Sequence, residues 1–354
     1  MLNHEFKVVS NNIRFPSNLR SLDLKNNGVA IPGSMGVFEV LSSDGGYIDQ
    51  LDLEGEFQHL CKGDYMVGVF GIRQSGTNIS GDISKEGVIC KNGDIFQILS
   101  SSAIVGNVRR VPEHIGHQPV NIRLEGLVSE NDKVCNLTDL TPYKPSLTYE
   151  GKIPIILGLG SSAECGKTTL IGKVIKGFKG KGMKVAASKT NGSGNIRDTY
   201  SHRDAGADSF LDKVDFGLVT TYNLEPSEYL PTLYGILNET EKQNPDVIIL
   251  EPGGDVMWAS IPALLSDNNI KKNVVAVAMC STDYMGAYGA FHFTKECGIT
   301  APFFFNVPIL KEAYYRKSTF QKLVNAKVYN VMNPEESNEL IEELHREVIG
   351  FNNG

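Results

Sequence analysis

A Gly-Lys-Thr sequence at 166–168 lies between an apolar run and a helical pattern, and this order constrains the fold more than any other feature. The preceding run "IPIILGL" (153–159) predicts a buried strand. The residues after the loop repeat apolar side chains at helical spacing, and "GKG" (180–182) marks the end of the predicted helix. A strand, a glycine-containing loop and a helix in this order are the context of a phosphate-binding loop.

The loop is one residue longer than the usual pattern, in which four residues separate the first glycine from Gly-Lys-Ser/Thr. Ser161 stands where that glycine belongs, and Gly160 lies one position earlier. Backbone N–H groups at a helix N-terminus still attract phosphate oxygens. We therefore expect a nucleotide to bind the loop residues Gly160, Ser161, Ser162, Ala163, Glu164, Cys165, Gly166, Lys167, Thr168 and Thr169. Lys167 would reach the outer phosphates and Thr168 would ligate Mg²⁺; the alternative is a chance Gly-Lys-Thr with a solvated Lys167.

Apolar runs alternate with helix-length segments from residue 153 onward. The runs are "IPIILGL", "KVAAS", "FGLVTT", "DVIILE", "NVVAVAM", "APFFFNV" and "AKVYNV". Strands that alternate with helices predict parallel βαβ units, with the sheet covered on both faces. The fold class expected for this part is α/β, a mostly parallel sheet flanked by helices. Ligands of such sheets bind at the carboxyl ends of the strands.

The first part of the chain has a different sequence pattern, which predicts short strands separated by frequent turns. "KNGD" (91–94) is a tight-hairpin signal between two strand-like runs. The prediction is a small β-rich domain, a barrel or a sandwich, over residues 1–136. A Pro- and Thr-containing linker would cover 137–152 and the nucleotide-binding domain 153–354.

Composition limits the classes of partner. A chain of 354 residues fits two domains. Its net charge of −7 argues against general binding to nucleic acid or a membrane surface. The start of the chain has no apolar signal core, no run is long enough to span a membrane, and the six cysteines are scattered, so a cytoplasmic protein is expected.

The long loop resembles that of dethiobiotin synthetase, which reads Gly-Thr-Asp-Thr-x-Val-Gly-Lys-Thr. In that family the loop binds ATP, and a lysine after the second strand helps to bind the substrate carbamate. The resemblance gives Lys189, in "VAASKTNGSG", the matching position and a catalytic role beside Lys167; the alternative is a solvated lysine. Ser162 replaces the family's aspartate, which argues against dethiobiotin synthesis itself.

A second resemblance covers "RDTYSHRDAGAD" (197–208), which is similar to the "D-S-Y-R-H-R-x-A-G-A" segment of the MobB family. MobB also has "GKTTLI" after its loop, as this chain does at 166–171. MobB normally has the shorter loop, however, and Lys-His where this chain has Lys189 and Thr190. The two resemblances together imply a P-loop NTPase domain over about residues 153–210 and do not select one activity.

Two carboxylates are candidate Mg²⁺ ligands. Glu251 ends "DVIILE", read as the fourth strand, and resembles a Walker B acid, with a plain turn as the alternative. Asp198 is implied by the MobB resemblance, and a helix N-cap is equally compatible with its position.

Three further residues have weaker signals. Asn306, after "APFFF", resembles the base-contacting asparagine of dethiobiotin synthetase, or is a strand-end turn residue. His202 is a substrate contact or, as we prefer, part of a polar helix face. Cys165 adjoins a helix N-terminus, which lowers a thiol pKa, but no His or second Cys is near it in sequence, so a nucleophilic role is not expected.

The resulting hypothesis is an Mg²⁺- and ATP-dependent enzyme of the ligase or phosphotransfer type, dethiobiotin-synthetase-like, that acts on a small acid, amine or carbamate. GTP is the alternative nucleotide. The alternative function is a MobB-like accessory protein that binds or hydrolyses nucleotide in cofactor biosynthesis. An acyl-transfer enzyme that holds a cofactor's phosphates is a third reading. The resemblance also implies a homodimer as one arrangement.

Overall fold

The structure is a computed structural model, and it describes residues 6–16, 23–307 and 314–352. In this part of the chain the backbone forms two compact units. No helix among these residues is long and apolar enough to cross a membrane.

The two units are not two continuous stretches of chain. The first unit contains the described residues up to 144 together with 193–197 and 213–222, and the remaining described residues form the second. The change of unit at 144/145 falls inside the predicted linker 137–152. No sequence pattern marks the two short segments that return to the first unit, which sequence analysis assigned to the second domain.

The first unit is β-rich, as predicted. Its strands are β1 (Val8–Val9), β2 (Asp23–Lys25), β3 (Asn27–Ala30), β4 (Met35–Val40), β5 (Asp49–Leu51), β6 (Phe57–His59), β7 (Tyr65–Phe70), β8 (Ser80–Asp82), β9 (Val88–Lys91), β10 (Ile95–Ile98), β11 (Ile104–Arg110), β12 (Asn121–Glu130) and β13 (Lys133–Val134), followed by helix α1 (Leu137–Leu140).

Five of these strands close into a ring. β7 pairs with β4, β4 with β12, β12 with β10 and β10 with β11, all antiparallel, and β11 returns to pair with β7 in parallel. The alternating strands direct apolar side chains inward. Phe38, Phe70 and Phe96 meet edge to face there, with ring centroids 5.1 to 6.3 Å apart. The ring closure makes this unit a barrel rather than a sandwich.

The hairpin expected at "KNGD" is a turn, but not a hairpin between its flanking strands. Gly93 has a left-handed φ of 94°, as the Asn-Gly signal predicts. In the described residues, β9 pairs with β3, whereas β10 pairs with β11 and β12. The predicted turn is therefore present, whereas strands that are more distant in the sequence determine how β9 and β10 pair.

The second unit alternates strands and helices. Its elements are β14 (Ile155–Gly160), α2 (Lys167–Gly180), β15 (Val185–Ser188), α3 (Ile196–Asp204), α4 (Pro226–Glu241), β16 (Val247–Leu250), α5 (Ile261–Ser266), α6 (Asn268–Lys271), β17 (Val274–Cys280), α7 (Tyr284–Glu296), β18 (Phe303–Asn306), α8 (Tyr314–Val324), β19 (Lys327–Tyr329) and α9 (Pro334–Asn352). The first two residues of α3 group with the first unit.

The strands of this unit form one parallel sheet in the order β15-β16-β14-β17-β18-β19. Alternate residues of each strand face opposite sides, so near-continuous apolar strands supply two cores. Helices α4 to α8 pack on one face, and α2 and α9 cover the other. The predicted α/β architecture is thus confirmed.

One apolar run does not form a strand of this sheet. "FGLVTT" (216–221) belongs to the first unit, where Val219 is buried and Thr220 makes only an isolated bridge to Ser193. Glu251 therefore follows the third strand of the sheet in chain order and not the fourth.

Candidate functional site

The carboxyl ends of the parallel strands bring most of the predicted residues to one edge of the sheet. Gly160 at the end of β14 lies in register with Cys280 of β17, which lies in register with Asn306 of β18. Lys189 and Glu251 directly follow β15 and β16, which lie on the other side of β14, with β16 next to it. The loop after β14 is therefore at the point where the chain order of the sheet changes direction, the usual ligand position in such sheets.

The loop is anchored at its start and exposed at its tip. Ser161 donates its backbone N–H to the Cys280 carbonyl (2.9 Å) and its hydroxyl to that of Ser281 (2.8 Å). Ala163 and Glu164 are exposed, and so is Thr169 beyond the Gly-Lys-Thr sequence.

The turn into α2 requires two left-handed residues. Glu164 has a φ of 61° and Gly166, the N-cap of α2, a φ of 95°. Gly166 adopts this conformation without the cost that a side chain would add. The backbone conformation at this position therefore explains why the motif has a glycine there.

Lys167 joins the loop to the turn that follows β16. Its Nζ donates to the carbonyl oxygens of Ser162 (2.8 Å) and Gly254 (2.7 Å), and lies 3.7 Å from the Cys165 sulfur. The side chain is buried, so the alternative of a merely solvated lysine is wrong.

Thr168 and Glu251 meet directly, since the Thr168 hydroxyl lies 2.7 Å from Glu251 Oε1. Glu251 is fully buried. Burial by itself would raise the pKa of Glu251, but the Lys189 ammonium and the hydrogen bond from His202 outweigh it, and this pKa is lowered. The carboxylate is therefore ionised beside the hydroxyl that the motif provides for a metal.

Lys189 is a buried cation between two acids. Its Nζ lies 2.8 Å from Glu251 Oε1 and 3.6 Å from Asp198 Oδ2. Burial by itself would lower the pKa of Lys189, but the charges of Asp198 and Glu251 outweigh it and raise this pKa. The alternative of a solvated lysine is wrong here also.

His202 is buried and lies within this cluster, which sequence analysis did not expect. Its Nε2 is 2.8 Å from Glu251 Oε2. A carboxylate can only accept, so Nε2 carries the proton. Nδ1 has no hydrogen-bond partner among the described residues. The preferred reading of His202 as part of a polar helix face is wrong; its place in the MobB-like segment was the available signal.

Asp198 lies in the first turn of α3 and does not cap it. The helix begins at Ile196, and the Asn195 side chain accepts the backbone N–H of Arg197 (3.0 Å). The Asp198 carboxylate instead faces Lys189, and about a third of its side chain is exposed.

Asn306 has both ends of its amide engaged within the protein. Its Nδ2 donates to the Cys280 sulfur (3.5 Å), and its Oδ1 accepts the Val331 N–H (3.1 Å). It fixes the end of β18 to its surroundings, and contact with a nucleotide base stays a prediction.

Cys165 has a second cysteine beside it, Cys280, which lies 115 positions later in the chain. The Cys165 sulfur is 3.5 Å from the Cys280 carbonyl oxygen. Hydrogen bonding from the Cys280 side chain, opposed by burial and reinforced by Lys167, lowers the pKa of Cys165 to about 5. The sequence has no second cysteine near Cys165, but the fold brings Cys280 beside it.

The residues present fit an Mg²⁺ ion that is held largely by phosphates and water. The described residues contain no group of three or more His, Cys, Asp or Glu side chains that could hold a metal. Mg²⁺ in phosphate-transfer sites takes one or two protein ligands and keeps several waters. The Thr168 hydroxyl beside the ionised Glu251 meets that requirement, and Asp198 lies on the far side of Lys189.

Comparison with known protein families gives a match over part of the chain. Residues 156–253 match the model of molybdopterin guanine dinucleotide synthesis protein B, MobB. The second unit contains a P-loop NTPase domain of the MobB type. The matched segment runs from β14 to the turn after β16, so it includes the phosphate-binding loop, Lys189, His202 and Glu251.

Solved structures with some similarity include two hydrogenase maturation factors. HypB from Archaeoglobus fulgidus is 17% identical, with 56% of this chain and 91% of that chain covered and a TM-score of 0.39. HypB from Helicobacter pylori, in complex with nickel, is 14% identical, with 56% and 89% covered and a TM-score of 0.38. A DUF1611 family protein from Anabaena variabilis is 8% identical, with 62% and 65% covered and a TM-score of 0.38. No curated protein gives a significant match to the chain.

Proposed function

We propose that the chain is an Mg²⁺-nucleotide-dependent enzyme that transfers a phosphoryl group to a small-molecule acid, amine or carbamate. The observation that carries this proposal is the shared position of two groups on Glu251 Oε1. Thr168 reaches this oxygen from the phosphate-binding loop, and the buried Lys189 ammonium reaches it from the end of β15. A hydroxyl and a second cation therefore meet at the site where the outer phosphates would lie.

Each side chain has a distinct task in this proposal. Lys167 and the loop N–H groups hold the phosphates, and the Thr168 hydroxyl with Glu251 holds Mg²⁺, which supplies positive charge to the phosphate oxygens when bound. Lys189 stabilises charge on the moving phosphoryl group or holds the acceptor's carboxylate. His202 keeps Glu251 oriented toward Thr168, because it occupies the other carboxylate oxygen.

A second candidate function is that of a MobB-like accessory protein, which binds or hydrolyses a nucleotide in cofactor biosynthesis. The match of residues 156–253 to MobB supports it. That family is described by the synthesis of a guanine dinucleotide, which supports GTP. The absence of an Asn/Thr-Lys-x-Asp guanine motif from the sequence supports ATP. Both nucleotides therefore enter the test.

The test measures phosphate release by the full chain with Mg²⁺-ATP or Mg²⁺-GTP and a panel of small acids, amines and carbamates. Release that depends on one small molecule supports the enzyme. Slow release that no small molecule changes, and that a protein from the same cells raises, supports the accessory function.

Two variants of helix α2 make the result specific. Lys167→Ala removes the phosphate contact and is expected to abolish nucleotide binding. Lys176→Ala changes an exposed lysine of the same helix and is expected to bind the nucleotide as tightly as the unchanged chain does. If neither nucleotide binds to the unchanged chain, the proposed function is wrong.

A further inference from the structure

One buried thiol lies in the phosphate-binding loop and a second lies beside it. Cys165 belongs to the loop and is 4% exposed, and Cys280 ends β17 and is fully buried. The Cys165 sulfur lies 3.5 Å from the Cys280 carbonyl oxygen and 3.7 Å from the Lys167 ammonium. Asn306 donates to the Cys280 sulfur from the other side (3.5 Å). The Cys165 side chain thus contacts the Cys280 backbone, and Lys167 and Asn306 each contact one of the two sulfur atoms.

The two thiols differ in acidity. The hydrogen bond from Cys280 and the Lys167 charge favour a thiolate at Cys165, against the effect of burial. The hydrogen bond with Cys165 and burial both raise the pKa of Cys280. Cys165 is therefore the more acidic of the two thiols. An acidic thiol beside a less acidic one is the arrangement of an attacking and a resolving cysteine.

We propose that Cys165 and Cys280 are a redox-sensitive pair that a hydroperoxide converts into an intramolecular disulfide, and that the disulfide weakens nucleotide binding by the loop. The second half of this inference rests on the proposed function, because it requires that the loop binds a nucleotide. The first half does not.

The oxidation takes place in two steps. The Cys165 thiolate attacks one oxygen of hydrogen peroxide, the O–O bond breaks, and Cys165 becomes a sulfenic acid as hydroxide leaves. Cys165 has then lost the charge that opposed ionisation of Cys280. The Cys280 sulfur attacks the sulfenyl sulfur, the S–O bond breaks, and the leaving hydroxide takes the Cys280 proton as water. The peroxide is reduced and the two sulfurs are oxidised together.

The disulfide would change the loop because Cys165 lies between its two left-handed residues, Glu164 and Gly166. A disulfide requires the sulfur atoms to approach to about 2.05 Å. That approach draws the centre of the loop toward the end of β17 and removes the sulfur contact of Lys167. The loop N–H groups would then leave the arrangement in which they hold phosphate oxygens.

Three of the other four cysteines provide internal references. Burial raises the pKa of Cys90 to about 11 and also raises that of Cys135. Cys61 is exposed. Selective oxidation of the pair therefore means that Cys165 and Cys280 react at peroxide concentrations that leave these three as thiols.

The first experiment treats the full chain with increasing hydrogen peroxide and maps disulfides by mass spectrometry. The expected product joins Cys165 to Cys280 and disappears on reduction. If Cys61 is oxidised before any Cys165–Cys280 disulfide forms, or if Cys165 proceeds to sulfinic acid without it, the first half is overturned.

The second experiment measures the affinity of fluorescent ATP and GTP analogues for the reduced and the oxidised chain. The disulfide is expected to raise the Kd by at least about tenfold, and by linkage saturating nucleotide should shift the midpoint potential of the pair by about 30 mV for each tenfold change. Cys280→Ser should keep the reduced affinity and lose the response to peroxide. Cys61→Ser should respond as the unchanged chain does.

The outcomes separate the two ideas. An equal affinity of both forms overturns the second half and leaves the proposed function standing. If the reduced chain binds neither nucleotide, the proposed function and the second half fail together, while the mapped disulfide still decides the first half.

Discussion

The Thr168 hydroxyl lies 2.7 Å from Glu251 Oε1, which joins the first turn of α2 to the end of β16. The two residues are 83 positions apart, and the parallel pairing of β14 with β16 brings them together. In the proposed function this hydroxyl and this ionised carboxylate hold Mg²⁺ beside the outer phosphates.

Removal of the Thr168 hydroxyl should weaken the binding of Mg²⁺-nucleotide. Hydrogen bonds to charged groups contribute about 1.5–3 kcal/mol, so Thr168→Ala should raise the Kd by about tenfold to a hundredfold. Thr168→Ser keeps the hydroxyl, and its Kd should stay within about threefold of the Kd of the unchanged chain. Titration with and without Mg²⁺ checks this, and an equal loss without Mg²⁺ would count against a metal role.

Lys189 should stabilise the fold strongly, because its removal leaves the fully buried Glu251 without its cation. Lys189→Met should lower the free energy of unfolding by about 3–5 kcal/mol. Lys179→Met is the matched control: Lys179 pairs with Asp208 at 2.8 Å, but both side chains are about one-third exposed. Lys179→Met should lower the free energy of unfolding by only about 0–1 kcal/mol. Urea unfolding measures both, and equal losses would contradict the prediction.

The double variant Lys189→Met with Glu251→Gln should be more stable than Lys189→Met alone. It removes the fully buried negative charge together with its partner, and the Asp198 carboxylate that also loses Lys189 is about one-third exposed. The difference between the double variant and the sum of the single ones gives the coupling of the pair. Simple additivity in urea unfolding would show that the two residues do not interact.

Gly253 should not tolerate a side chain. A Cβ there would lie 2.6 Å from the backbone oxygen of Asn191, so the turn after β16 would have to move. Gly253→Ala should cost about 1–3 kcal/mol of stability. Gly289→Ala in α7 adds a Cβ with no atom within 4 Å, and it should stabilise by up to about 1 kcal/mol. The midpoint temperature of thermal unfolding should fall for Gly253→Ala and rise for Gly289→Ala.

The oxidation rate of Cys165 should depend on pH in a way that an ordinary thiol does not. The pKa of Cys165 is lowered to about 5, so the thiolate is present above that pH and is lost below it. The rate constant with hydrogen peroxide should rise as pH increases through about 5 and change little above about 7. A rate that keeps rising tenfold per pH unit to about 8 would contradict the lowered pKa.

Local sequence patterns predicted the elements whose formation is local. The apolar side chains of α2 repeat at helical spacing, and Leu170, Ile171, Val174, Ile175 and Phe178 are all buried against the sheet. Glu251 was found because an acid directly after an apolar strand resembles a Walker B acid, and the carboxyl ends of parallel strands lie at the edge where the loop lies. These residues follow from periodicity and from one topological rule.

Features that depend on distant contacts were missed. "FGLVTT" has the composition of a strand, but its apolar side chains serve the first unit, and pairing cannot be read from composition. His202 was read as a surface residue because its burial depends on Glu251, 49 positions later. Cys280 could have been found, since the rule that located Glu251 also applies to a cysteine at the end of the next strand.

The division of the chain has a consequence for any attempt to obtain the first unit by itself. Residues 193–197 and 213–222 complete it: the Gly194 N–H donates to Val219, and Thr141 donates to the Asp215 carbonyl. A fragment that stops at residue 144 lacks all of these partners. No single scission of the polypeptide can release the complete first unit, and a protease cut between residues 198 and 212 would leave the segments of this unit on two different fragments.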